Sequence, residues 1–270
     1  MRRDRAARRA LFAAGALAVA ILLFPPVWAM VSSLMPPAIV GGLPDFKSAS
    51  LDNYRDVFAQ NQFWLCLRNS ALASIGATVA AILLAIPAAY GLTRFRVDLR
   101  LMALAILAVR MVPGIVLVLP FYLMFRRLQL LDTIPALCMT YLTFTLPFSI
   151  WMIASFFESI PIEIEEAAQL DGASRWTSCW RIVAPIAAPA ILATAALNFI
   201  FCWNDFLFAL IITSQRSLTF LPLVLRYVLP QGPLYGQIFA GTTIFLIPPL
   251  LALILIRNRL STAFGLGGMK

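Results

Sequence analysis

The chain has 270 residues, of which 61% are hydrophobic and only 12% charged, and its mean hydropathy is +0.89. Soluble domains carry about 25% charged residues, so this composition excludes an ordinary soluble globule and points to an integral membrane protein. The net charge of +9 does not imply a nucleic-acid partner, because the basic residues flank apolar runs instead of forming a basic groove.

In chain order, residues 1–9 form a basic tail carrying Arg2, Arg3, Arg5, Arg8 and Arg9. The apolar run Ala10 to Met30 follows. At about 20 residues it exceeds a signal-peptide core, and it passes through Phe24-Pro25-Pro26-Val27-Trp28 without a small-residue cleavage site, so it reads as a retained first span. Residues 31–68 are expected outside the membrane. There, Asp52, Asn53 and Tyr54 open a short pattern with Tyr54, Val57 and Phe58 on one face. This is either an amphipathic interfacial helix N-capped by Asp52 or a plain loop with a short turn.

Five more runs can cross a hydrocarbon core of about 30 Å as helices: Asn69–Leu92, Leu101–Phe125, Ile134–Phe157, Ile186–Ile212 and Gln237–Ile256. The expected fold is therefore an all-α integral membrane protein of six transmembrane helices, with a permease-like core over 69–256 and a tail over 257–270. An even count puts both termini on one side. Arg94, Arg96, Arg100, Arg175, Arg181, Arg257, Arg259 and Lys270 join the N-terminal arginines there, and together they outnumber Lys47, Arg55, Arg68, Arg126, Arg127, Arg216 and Arg226 opposite. This bias places both termini and the loop 158–185 in the cytoplasm.

The spans contain Pro87, Pro113, Pro120, Pro147, Pro248 and Pro249. Small residues accompany them: Ala73, Ser74, Gly76, Ala77, Ala80 and Ala81 in the second span and Gly114 in the third. Such helices bend and pack closely, which suits a moving transporter and polytopic proteins in general. Arg110, within the third span, either faces a path or the bundle interior, or snorkels to the boundary. Asn204 and Asp205, after Trp203, either face a pore, cap a local kink, or sit at the interface without touching a solute.

No catalytic constellation appears. Histidine is absent, which removes the commonest general base and zinc ligand. There is no GxxxxGK[ST] phosphate loop. Cys66, Cys138, Cys179 and Cys202 lack ligand or CxxC spacing and read as small hydrophobes. Glu158, Glu163, Glu165 and Glu166 are crowded but have no metal-binding companions. The expectation is a non-enzyme without metal or cofactor, whose energy for any active transport comes from a partner or an ion gradient.

The loop 158–185 is the one compact polar segment between spans. A helix is expected from Ser159 or Ile160, with Pro161 in its first turn and Glu163, Glu165 and Glu166 near its N-terminal dipole. Gly172 ends it. Asp171 is expected to cap a second helix over Ala173 to Val183, and Pro185 and Pro189 bound the entry to the fifth span. Ile164, Ala167, Ala168 and Asp171 share one side, where small residues let another surface approach. The segment is either a docking element for a cytoplasmic partner or a solvated connector.

Glu166-Ala167-Ala168, then Asp171-Gly172-Ala173, then Ile182, Pro185 and Pro189 resemble the EAA loop of bacterial ABC importer permeases. Arg110-Met111-Val112-Pro113, the phrase Trp203 to Leu210, and the ending Gly265-Leu266-Gly267-Gly268-Met269-Lys270 are similar to the carbohydrate-uptake branch, in particular its smaller, MalG-like subunit. The resemblance covers about Ala10 to Lys270. It implies a type I importer permease of MetI-like fold in a bacterial inner membrane, surrounded by lipid and paired with a second homologous permease. Two copies of a cytoplasmic ATPase and an extracytoplasmic solute-binding protein complete the implied assembly. Glu165, Glu166, Ala167, Ala168, Asp171, Gly172 and Ala173 would couple to the ATPase, with Glu166 facing its basic surface and Gly172 allowing the turn. The tail departs from the Gly-Leu-Thr-Ala-Gly type of ending by a bulky Phe264, which weakens the expectation that it docks. The branch also includes permeases for polyols and glycerol 3-phosphate. A carrier coupled to an ion gradient and working without an ATPase is the alternative of a different class.

Overall fold

The computed structural model describes residues 2–36, 48–95, 101, 106, 108, 111–225 and 234–265. Arg110, Arg96, Arg100 and the tail beyond Gly265 lie outside the described residues, as does most of the first half of the expected third span. All regular structure among the described residues is helical. The chain divides into two compact units, Met1–Trp64 with Val224–Ile247, and Leu65–Leu223 with Pro248–Lys270.

The first unit holds α1 (Arg2–Ser32), α2 (Asp52–Ala59), the beginning of α3 (Asn61–Arg94) and α11 (Tyr235–Phe245). Helix α1 is continuous from the basic tail, and the apolar stretch Leu11–Ser32 is largely exposed, with Leu11, Phe12, Leu17, Leu22 and Phe24 each more than half exposed, as expected of a helix solvated by lipid or covered by another subunit. Helix α11 packs against both α1 and α2. The buried Asn53 fixes this arrangement by donating from Nδ2 to the carbonyls of Ser33 (2.9 Å) and Met35 (2.8 Å). Gly236 is required beside it, because a Cβ there would fall on the Asn53 amide.

The segment after Ser50 is thus a helix and not a plain loop. Its details differ from expectation. Asp52 is not the N-cap: Leu51 holds that position without a side-chain bond, and Asp52 makes an exposed 3.6 Å ion pair with Arg55. The buried side chains are Asn53 and Val57, while Phe58 is turned outward and stacks on Trp64 with ring centroids 5.4 Å apart. Polar Asn53 occupies the inner face because it satisfies two carbonyls left open after α1 ends.

The second unit comprises the rest of α3, then α4 (Gly114–Arg127), α5 (Ile134–Phe157), α6 (Glu163–Leu170), α7 (Arg175–Ile186), α8 (Ala188–Trp203), α9 (Leu207–Ile212), α10 (Phe220–Val224) and α12 (Ile247–Gly265). On α3 the alanines at 73, 77, 81, 85 and 89 are all fully buried. Their four-residue spacing makes one smooth stripe that admits neighbouring helices closely. Leu72, Ile75, Val79 and Leu83 remain half exposed on the other side. One core cluster joins Ile86, Ala89 and Tyr90 of α3 to Phe157 of α5 and Val183 of α7. A second joins Phe125, Leu137, Tyr141, Phe208 and Ile212.

Helix α5 has the expected bounds. Thr133 caps it by accepting from the Ala136 N–H, and proline sits in its first turn. Its buried hydroxyls on Thr140, Thr145 and Ser149 donate to carbonyls one turn back, which satisfies them without water. Helix α8 lies along α5, and Asn198 donates to the Ser149 hydroxyl at 2.6 Å.

Other expected spans are broken. The third is interrupted at Val112–Pro113. Val112 lies outside any helix, because the residue before a proline is pushed out of the helical region, and Pro113, with ψ 131°, stands as the N-cap of α4. The fifth does not run unbroken from Ile186 to Ile212: the chain bends by 79° between α7 and α8, and the helix breaks again between Trp203 and Leu207. Among the described residues four helices are long and apolar enough to cross a membrane, or five if the bent pair is one span. These figures support a multi-span all-α fold and fall short of the six expected.

Candidate functional site

The loop between α5 and α8 is built from three helical pieces. Ser159 and Ile160 finish the turn that ends α5, their N–H groups donating to Phe156 and Phe157. Pro161 follows outside any helix, and α6 starts at Glu163, later than expected, with Ile162 at its N-cap. The physical reason is again the restriction that a proline places on the residue before it, here Ile160. The first turn of α6 carries Glu163, Glu165 and Glu166, where the helix dipole favours negative charge.

Helix α6 ends in a Schellman motif. The Ala173 N–H donates to the Ala168 carbonyl at 2.9 Å and the Gly172 N–H to that of Gln169 at 3.0 Å, with Gly172 at φ +89°. That backbone conformation is costly for any residue with a Cβ. Asp171 does not cap the next helix. Ser174 does, accepting from the Thr177 N–H at 3.1 Å, and it is the residue directly before the helix, where capping geometry requires it. Helix α7 widens into a π-helical turn at Cys179–Val183, closed by the Ala184 N–H on the Cys179 carbonyl. The wider turn ends at Val183, two residues before Pro185, which cannot donate and would crowd an α-helical turn. Pro189 then sits in the first turn of α8, just past the bend.

Exposure divides the acidic residues of α6. Glu166 and Ala167 face outward, as do Asp171 and Gly172, while Ala168 and Ala173 are half-buried. Around them lies an apolar surface wider than the expected face of Ile164: Leu170 is 90% exposed and Trp176 65%, with Ile162 and Ile164 beside them. Glu165 is the opposite case, only 2% exposed. Its Oε1 accepts from Arg94 Nε at 2.6 Å and lies 2.5 Å from Arg94 Nη2. Arg94 Nη2 also reaches the carbonyls of Phe157 and Ile160, each at 3.4 Å. One helix position further, the Arg175 guanidinium lies 5.1 Å above the ring of Phe95, a cation–π contact. Arg94 entered the sequence reading only as an orienting charge.

The polar residues of the expected fifth span explain its second break. Asn204 is exposed and its Nδ2 donates to the Ile200 carbonyl at 2.8 Å, closing the end of α8. Asp205 accepts from the Ala209 N–H at 3.1 Å, so it satisfies one of the open donors in the first turn of α9, whose N-cap position is held by Phe206.

A second built polar site was missed entirely. Asp132, at φ +58° in the turn between α4 and α5, receives the backbone N–H groups of Ser214, Gln215, Arg216 and Ser217 at 2.9–3.1 Å and the Ser217 hydroxyl at 2.8 Å. Burial alone would raise the pKa of this carboxyl, but the donors of Arg216, Ser214 and Ser217 outweigh it and hold it well below the usual carboxylate range. From the other side Asn69 donates to the carbonyls of Arg216 (2.9 Å) and Leu218 (3.0 Å), and Ser70 accepts from the Phe220 N–H at 3.0 Å. The segment 214–220 is therefore held from both flanks. No cluster able to hold a metal ion occurs among the described residues.

Residues 67–265 match the family described as the inner membrane component of binding-protein-dependent transport systems. The chain is 33% identical over 271 residues to the trehalose transport system permease protein SugB of Mycobacterium tuberculosis, covering 98% of this chain and 99% of that protein. It is 31% identical over 277 residues to the trehalose/maltose transport system permease protein MalG of Thermococcus litoralis, covering 99% of each. A solved bacterial ABC transporter involved in the import of the acidic polysaccharide alginate contains a chain of the same fold, with a TM-score of 0.77 at 20% identity over 96% of this chain and 98% of that one. This chain belongs to the family of binding-protein-dependent transport inner-membrane components, which are non-catalytic multi-pass permeases.

Proposed function

We propose that the chain is the permease subunit of an ATP-driven importer of a sugar or related carbohydrate, forming half of the translocation path and driven by a cytoplasmic ATPase through α6 and α7. The observation that carries this reading is the outward face of α6. Glu166, Ala167 and Leu170 stand exposed on a helix whose end is shaped by the left-handed Gly172, and an exposed apolar surface edged by carboxylates suits a basic protein partner. Asp171, Gly172 and Ala173 complete that surface, and Pro161, Pro185 and Pro189 set how the helices enter it. The names of the trehalose and trehalose/maltose relatives support the solute class and the MalG-like assignment.

In this reading the chain crosses a bacterial inner membrane six times, the third span being the one that ends in α4, and both termini are cytoplasmic, as the arginine bias supports. A second homologous permease and lipid cover the exposed apolar faces of α1 and α3. Two ATPase copies and a solute-binding protein complete the complex. Arg110, Asn204 and Asp205 are the polar candidates for facing the path or fixing the bundle.

The test is uptake and assembly in Glu166→Lys and Gly172→Pro variants co-expressed with the neighbouring transport genes. Both are expected to insert normally, to lose ATPase co-purification, and to lose uptake of whichever of radiolabelled trehalose, maltose or glycerol 3-phosphate the native complex takes up. Normal assembly and uptake in both variants would sink the proposal, and uptake without any ATPase would favour an ion-coupled carrier.

A further inference from the structure

Glu165 and Glu166 are neighbours on α6, yet one is buried inside its own chain and the other faces out, because successive helical residues point about 100° apart. A carboxylate that is 2% exposed cannot meet a separate protein. It is costly to bury unless it is paired and hydrogen-bonded, and here it is both, through Arg94. Arg94 is the last residue of α3. From the end of α3, its guanidinium reaches two further elements: the carbonyls where α5 ends, and α6. The Phe95–Arg175 contact adds α7 to the same junction.

The short turn 158–162 joins α6 to α5 along the chain, and this junction adds a side-chain link from α6 to α3. With it, a displacement of α6 is delivered directly to the end of α3. That helix contains Pro87, where a missing backbone bond makes bending easier.

We propose that Arg94 is a positioning residue for energy coupling, its buried pair with Glu165 locking α6 to the end of α3 so that the two move as one body. The proposal rests on the reading that α6 docks on the ATPase. It assigns the paired glutamates opposite tasks, Glu166 outward to the partner and Glu165 inward to the lever.

The test is hydrogen exchange on the full complex, with and without MgATP plus vanadate, which requires no knowledge of the solute. In the native chain the amides of α6 and of the last turn of α3 are expected to change protection together. In Glu165→Gln the ATPase is expected to stay bound and α6 to respond, while the response of α3 falls at least about fivefold, the lower end of ordinary coupling between sites. An α3 response of native size in Glu165→Gln overturns the proposal. The Arg94→Gln/Glu165→Gln double variant leaves no lone buried charge and guards against misfolding. It is expected to match the single variant, because the pair acts as a unit, and an additive loss overturns the proposal too. Failure of the docking reading is a separate result: α6 shows no response in the native complex, and Glu166→Lys retains its ATPase.

Discussion

The Asp132 clasp gives the sharpest test of the fold's energetics. In Asp132→Asn the residue keeps its tolerance of positive φ, so the change isolates the second carboxylate oxygen. An amide nitrogen there would face the N–H groups of Gln215 and Arg216, which now donate to Oδ2 at 3.1 and 3.0 Å. Hydrogen bonds to a charged acceptor contribute about 1.5–3 kcal/mol each. Water reaches the exposed tip at 214–216 and replaces part of that, which leaves a net loss of about 2 kcal/mol. At 1.4 kcal/mol per decade this is roughly thirtyfold faster amide exchange at 214–217. The assay is hydrogen exchange by mass spectrometry in lipid nanodiscs at pH 7, with α5 amides as the internal reference. Exchange unchanged within about threefold would refute the reasoning, since a loss below about 0.7 kcal/mol means that the carboxylate does not hold the segment.

Because the carboxyl of Asp132 is held below its ordinary range, the clasp's contribution is fully present above the unfolded value of about 3.9 and is lost as pH falls further toward the folded value; Asp132→Asn should remove this acid sensitivity from the exchange of residues 214–217. Gly236→Ala should displace the Asn53 amide it overlaps and break the two bonds to Ser33 and Met35, lowering stability by about 2–4 kcal/mol, read as lost exchange protection in α2 and a lower melting temperature. Gly172→Ala meets open space but keeps the strained φ, so it should cost about 1 kcal/mol, seen as faster exchange at the end of α6 with no change in α5. Ser174→Ala removes the cap of α7 and should cost about 1 kcal/mol, detected by the same measurement in that helix.

The long apolar runs made the helical, multi-span character legible, because a membrane span needs about 20 apolar residues and little else. Helix α5 matched its expected bounds, since apolarity and a Thr-Pro start coincide there. The breaks were less legible. A hydropathy pattern averages over a two-residue interruption such as Val112–Pro113, and at the Asn204–Phe206 break the sequence left facing a path, capping a kink and sitting at the interface all open, because the backbone partners of Asn204 and Asp205 appear only in the fold. The turn at Gly172 could be read from glycine alone, whereas Ser174 as the next cap was passed over for the charged Asp171. The separate fates of Glu165 and Glu166 depend on Arg94, distant in sequence and contributed by another helix. Asp132 left no sequence signal, because its partners are mostly backbone amides, which every residue but proline carries.

The central claim, that the outward face of α6 meets the ATPase, is tested most directly by site-specific photocrosslinking in the intact complex. A photoreactive residue replacing Ala167 or Leu170 is predicted to form adducts with the ATPase subunit, while one at exposed Leu83 of α3 is predicted to form none. Adducts absent from both α6 positions in a complex that still carries its ATPase would contradict the account.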